Sequence, residues 1–146
     1  MKNDYINIYN NLIKLTRNAN LYKNFTTQDT YSDRLIFFLF HFAFFLKIYK
    51  KKSDKKTLQH IFDYIFNQLE TTIREIGYGD ASINKKMKNY INSFYDILDK
   101  IENWENLSTK SKKVILSNFL DIDIANSDLT DYFDKYINYL LNNTLN

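Results

Sequence analysis

Few residues in this chain of 146 could carry out chemistry. The sequence contains no cysteine, which excludes thiolate nucleophiles and cysteine-based metal sites. Its two histidines, His41 and His60, fall on separate predicted helices without a matching cluster of carboxylates, so we expect no metal site. No Ser–His–Asp signature and no nucleophile elbow are present. These residue types predict a protein that is not an enzyme, takes no cofactor and has no small-molecule substrate.

An acidic segment towards the C-terminus has some features of a calcium-binding loop. It contains Asp121, Asp123, Asn126 and Asp128. A calcium loop of this type needs glycine at its sixth position and glutamate at its twelfth. Counted from Asp121, those positions hold Asn126 and Tyr132, so we reject a calcium site.

A second candidate segment, GYGDASINKKMK, holds both glycines of the chain, Gly77 and Gly79. The preceding predicted helix must end after Ile76, and Gly77 stands where a left-handed residue ends a helix without a Cβ clash. Asp80 or Ser82 can then accept hydrogen bonds from backbone N–H groups as the next helix begins. No strand precedes the glycines, and the lysines do not have the spacing of a phosphate-binding loop. The segment therefore predicts a sharp corner between two helices.

Three lysines, Lys85, Lys86 and Lys88, follow this corner. They fall in the first turns of the next predicted helix, where the macrodipole disfavours cations by roughly a few tenths of a kcal/mol. Lysines placed against local stability indicate a contact surface, together with Arg74 before the corner. Two alternatives remain open: the lysines reflect a composition in which lysine outnumbers arginine 17 to 3, and Arg74 pairs with Asp80 across the turn. The three arginines retained against this bias are Arg17, Arg34 and Arg74.

Helical periodicity predicts the elements that position the corner. Apolar residues recur at spacings of three and four over residues 58–76, 87–101 and 129–141, and more weakly over 5–15 and 111–120. We expect Ser127 to cap the last helix. No alternating apolar and polar run indicates a sheet. The sequence therefore predicts an all-α fold, a compact bundle of five to six helices that forms a single domain over residues 1–146.

The most apolar segment lies between Arg34 and Lys47, where His41 is the one polar residue. A membrane-spanning helix needs about 20 apolar residues, more than this run provides. Because the helix has no polar face, burial at the centre of the domain is favoured over exposure to a membrane or a hydrophobic client. Six lysines follow within residues 47–56, and we expect them to form a solvated helix end.

Charge and the N-terminal sequence bear on location. Residues 1–113 carry a balance of +7 and residues 114–146 a balance of −4, an asymmetry that can steer the basic part towards an anionic surface. The N-terminus has no apolar signal region, so we expect no export. The lack of cysteine fits a reducing compartment.

Three sequence features resemble the ubiquinol–cytochrome c chaperone family: the apolar helix after Asp33-Arg34, the segment HIFDYIFNQLETTIREIGYGD, and KKMKNYINSFYD. The resemblance covers about residues 33–98. The positions that match the family's motif are the corner residues Gly77, Gly79 and Asp80, and the basic residues Arg74, Lys85, Lys86 and Lys88. Tyr78 and Ser93 depart from the small residues usual there, and the acidic C-terminal part follows no family pattern.

The resemblance implies a bacterial, alphaproteobacterial-type assembly factor of the cytochrome bc1 complex. Its client would be newly made cytochrome b, and its location the cytoplasm, at the periphery of the inner membrane. An anionic membrane surface and a small helical protein are further candidate partners, with the four basic positions as the contact surface for client or membrane. The alternatives are a nucleic-acid or ribosome-binding module that uses the same basic faces, and a helical scaffold without chaperone action.

Overall fold

The structure, a computed structural model, describes residues 2–18, 31–75, 80–120 and 129–144. These ranges contain six α-helices and no strand: α1 (Lys2–Thr16), α2 (Tyr31–Tyr49), α3 (Lys55–Glu75), α4 (Asp80–Ile101), α5 (Thr109–Phe119) and α6 (Leu129–Tyr139). A 3-10 turn, Trp104–Asn106, lies between α4 and α5, and a π-helical turn, Leu140–Thr144, extends α6. The predicted all-α fold of five to six helices is confirmed.

Helices α3 and α5 begin with polar residues and are capped by polar side chains. At the start of α3, the Thr57 N–H donates to Asp54 Oδ1 at 2.8 Å. The hydrogen bonds from Thr57 also hold the pKa of Asp54 below its usual value. Helix α5 is capped by Ser108, whose Oγ accepts the Ser111 N–H at 3.1 Å. The predicted cap of the last helix, Ser127, lies outside the described residues.

Helix α2 is buried on all sides, as its sequence predicts. At most 1% of each side chain from Phe37 to Phe44 is exposed. The phenyl rings of α2 meet three different helices: Phe38 lies 5.7 Å from Tyr9 of α1, Phe42 stacks on Phe94 of α4 at 5.0 Å, and Phe44 stacks on Phe133 of α6 at 5.0 Å. Each fully buried phenylalanine side chain contributes roughly 1.5–3 kcal/mol to the stability of the fold. Because its rings contact three other helices, α2 forms the centre of the core. None of the described helices is long and apolar enough to cross a membrane.

The lysine run after α2 is not uniformly solvated. Lys47 is 8% exposed, and its Nζ donates to the Glu102 carbonyl at 2.6 Å and lies 2.8 Å from Glu105 Oε1. The prediction of a solvated run is therefore wrong for Lys47, because the chain after α4 turns back across the end of α2. It is correct for Lys50 and Lys51, which are exposed.

Short connections and contacts fix the directions of the helices. Five residues separate α2 from α3 and four separate α3 from α4, so α3 runs antiparallel to both α2 and α4, and α2 and α4 run in the same direction. The end of α1 and the start of α2 line one cleft together with the last turns of α3. One end of the bundle therefore holds the C-terminal ends of α1 and α3 and the N-terminal ends of α2 and α4. We call this the basic end; its cationic residues are Arg17, Arg34, Arg74, Lys85, Lys86 and Lys88.

Candidate functional site: the basic end of the bundle

The glycine corner falls between two described helices. Helix α3 ends at Glu75 and α4 begins at Asp80. Gly77, Gly79 and the side chain of Asp80 lie outside the described part of the chain. The left-handed conformation of Gly77 and the pairing of Arg74 with Asp80 therefore stay predictions.

Arg74 lies at the surface of the last turn of α3. Its Nε is 3.8 Å from Glu70 Oε2, one helical turn earlier, and the two side chains are 45% and 40% exposed. An ion pair this exposed to water contributes little to stability, about 0.3–0.5 kcal/mol for i, i+4 neighbours on a helix. Both side chains therefore lie at the surface of the bundle.

The lysines of α4 do not all face the same way. Ile83 and Met87 bury the inner face of the helix at 0% and 7% exposure. Lys85 and Lys88 are exposed and, three residues apart, share the outer face. Lys86 is half-buried at the edge between the two faces. The structure thus brings Lys85 and Lys88 together and places Lys86 beside them.

A cleft with two further arginines belongs to the same end. Its volume is about 190 Å³, and it lies between α1, α2 and α3. Arg17 and Arg34 line it and are exposed, and its inner wall includes the buried side chains of Leu35, Phe38 and Leu69. Sequence patterns did not group these residues, because they come from three helices. The retention of arginine in a lysine-rich chain was the available signal.

His41 forms a second polar site, at the centre of the core. Its Nδ1 lies 2.7 Å from the Phe37 carbonyl and its Nε2 lies 2.6 Å from Tyr132 Oη. The carbonyl can only accept, so Nδ1 carries the proton and Nε2 accepts from the tyrosine hydroxyl. Burial lowers the pKa of His41 to about 4 and raises the pKa of Tyr132 to about 12, so both groups are neutral. This hydrogen bond joins α2 to α6 and needs no ligand.

The described ranges contain no group of three or more histidine and carboxylate side chains that could hold a metal ion. The rejected calcium segment, residues 121–128, lies outside those ranges. The chemistry available at the basic end is therefore cationic: guanidinium and ammonium groups that can bind anions.

A helical bundle that presents exposed cationic side chains on its surface is typical of a binding protein. The model of the ubiquinol–cytochrome c chaperone family matches residues 23–120, more than half of the chain, and the chain belongs to this family. The match extends beyond the predicted core of residues 33–98 and includes α2 to α5, whereas α1 and α6 lie outside it. No curated protein and no solved structure matches the chain. Family membership supports a chaperone role in assembly of the cytochrome bc1 complex and indicates a non-enzymatic function.

Proposed function

We propose that the protein binds newly made cytochrome b through the basic end and holds it for assembly into the cytochrome bc1 complex. The observation that carries this proposal is the exposed group of Arg74, Lys85 and Lys88, with Lys86 beside it, within the family match. These side chains lie on two successive helices at one end of the bundle. They form a surface that suits acidic loops of a membrane protein client.

The same end can rest on the cytoplasmic face of the inner membrane beside the client. A lysine or arginine near an anionic lipid surface contributes roughly 1 kcal/mol to binding. Several such side chains at the basic end would attract the bundle to this surface. This supports a peripheral location at the membrane where cytochrome b is inserted.

Charge reversal of the α4 lysines tests the proposal. The variant Lys85→Glu/Lys86→Glu/Lys88→Glu should keep its helicity and should melt at the same or a slightly higher temperature, because acidic groups suit a helix N-terminus. We expect less cytochrome b to co-purify with it and less bc1 complex to assemble in cells. The double variant Lys85→Glu/Lys88→Glu leaves half-buried Lys86 unchanged. It should show the same stability and the same loss of cytochrome b binding and complex assembly as the triple variant.

The matched control is Lys51→Glu/Lys52→Glu/Lys55→Glu. It makes the same charge change among exposed lysines in the connection after α2 and at the first residue of α3. This control should assemble the complex normally. Normal assembly with the α4 variant would show that its lysines reflect composition alone. Salt-sensitive retention of RNA by the wild-type protein without any cytochrome b would instead favour the nucleic-acid alternative.

A further inference from the structure

The cleft between α1, α2 and α3 combines two kinds of chemistry in one small volume. Arg17, in the turn just after α1, and Arg34, in the first turns of α2, bring two exposed arginine side chains to it. The rest of its lining is mainly apolar. It consists of Ile13, Leu35, Phe38 and Leu69, with the hydroxyl-bearing side chains of Tyr9, Thr16 and Thr72 beside them. Such a cleft suits a ligand with an anionic head and an apolar part directly behind it.

The two arginines that line this cleft favour directional binding of one phosphate or carboxylate group over diffuse attraction of anions. Its planar guanidinium donates two parallel hydrogen bonds to a phosphate or carboxylate, which the single ammonium of lysine cannot do. Diffuse attraction to an anionic surface requires only charge, which the 17 lysines of this chain already provide. Two of the three arginines in the chain line this one cleft.

The size of the cleft and its surroundings narrow the choice of ligand. A volume of about 190 Å³ equals that of roughly six water molecules, enough for a headgroup and the start of a chain but not for a helix. Beyond the cleft, Arg74, Lys85 and Lys88 continue the cationic surface at the same end of the bundle. An extended anionic surface fits this arrangement better than an isolated ion or a single peptide carboxylate.

We propose that the cleft binds one anionic phospholipid of the membrane, whose phosphate lies between Arg17 and Arg34. The part of the lipid next to the phosphate then packs against the half-buried side chains of Tyr9 and Ile13. This inference deepens the proposed function, because it supplies a specific lipid contact at the end that faces client and membrane. Binding of lipid by the purified protein requires no client, so it can be tested separately.

The first test changes arginine geometry without changing charge. Purified full-length protein is mixed with phosphatidylcholine vesicles that contain phosphatidylglycerol, and the bound fraction is measured by flotation. We expect Arg17→Lys/Arg34→Lys to bind roughly tenfold more weakly, since paired hydrogen bonds to charged groups are lost. The control Lys51→Arg/Lys52→Arg should bind like the wild type. Wild-type binding by the Arg17→Lys/Arg34→Lys variant would overturn the proposal, because charge alone would then explain it.

The second test shows where the ligand binds and distinguishes a phospholipid from inorganic phosphate and from a peptide carboxylate. Short-chain phosphatidylglycerol, kept below its micelle concentration, should shift the methyl NMR signals of Ile13, Leu35 and Leu69, which line the cleft. Inorganic phosphate should shift them more weakly at the same concentration. Equal affinity for inorganic phosphate, or tighter binding of a peptide that ends in a leucine carboxylate, would overturn the assignment to a phospholipid. Co-purification of cytochrome b, measured in parallel, reports on the proposed function by itself.

Discussion

His41 is a titratable side chain held neutral at the centre of an aromatic cluster. The rings of Tyr132, Phe133 and Tyr136 lie 5.2–5.5 Å from its imidazole, and no part of it is exposed. Charging the ring would bury a cation among apolar groups and would break the acceptor role of Nε2 towards Tyr132. The hydrogen bond that joins α2 to α6 therefore requires the neutral form of His41.

Stability should consequently depend on pH through His41. Its pKa falls from 6.5 to about 4 on folding, so the folded state binds fewer protons than the unfolded state between these values. The stabilisation is fully present above pH 6.5 and is lost as the pH falls towards 4, at about 1.4 kcal/mol per pH unit. Urea unfolding across this range should show this slope in the wild type.

Two variants separate His41 from other acid-sensitive groups. His41→Phe cannot titrate, so its stability should fall less steeply on acidification even if it starts lower. His60→Gln, at an exposed position, should keep the wild-type slope. Equal slopes in wild type and His41→Phe would show that His41 is protonated in the folded protein without cost.

At the scale of a single element, α5 depends on its N-cap residue, Ser108. It is a helix of 11 residues, short enough to be marginal without tertiary contacts. Replacing Ser108 by alanine removes the acceptor for the Ser111 N–H and should lower the free energy of unfolding by about 1 kcal/mol. Ser108→Asp keeps an acceptor and adds a favourable charge at the helix N-terminus, so it should retain stability. Chemical denaturation of both variants measures the difference. Wild-type stability of Ser108→Ala would show that the cap contributes nothing, and an equal loss in both variants would show that the hydrogen-bond acceptor is not its source.

Local patterns predicted the helices well but not their pairing. The stripe of residues 58–76 predicts α3, found at Lys55–Glu75, because period and burial are properties of one helix. The burial of Lys47 and the bond from Tyr132 to His41 could not be predicted, since each joins residues at least 55 positions apart. The same holds for the arginine cleft, which needs three helices. Of the candidate site, the sequence predicted the exposed Arg74, Lys85 and Lys88 but not Arg17 and Arg34 beside an apolar cleft.

At the scale of the whole molecule, α6 completes the core although it lies outside the family match. Phe133 lies 5.7 Å from Phe40 and 5.0 Å from Phe44, so it covers one side of α2. On its flank, Asp134 Oδ1 accepts the Trp104 Nε1–H at 2.8 Å and lies 3.0 Å from Lys112 Nζ. Helix α6 thereby holds α2 and the connection between α4 and α5 in one unit.

Removing α6 should therefore disrupt the entire bundle and not only its C-terminal part. A chain that ends at residue 128 would expose Phe40, His41 and Phe44 to water. Loss of a single buried phenylalanine side chain typically costs about 3–5 kcal/mol, a large share of the roughly 5–15 kcal/mol that stabilises a domain. We expect the truncated protein to bind a hydrophobic dye and to unfold without a cooperative transition. Phe133→Ala should show an intermediate loss, whereas a chain that ends at residue 142 and keeps all of α6 should melt like the wild type. A cooperative transition at the wild-type temperature after truncation at residue 128 would mean that the region of the family match folds independently.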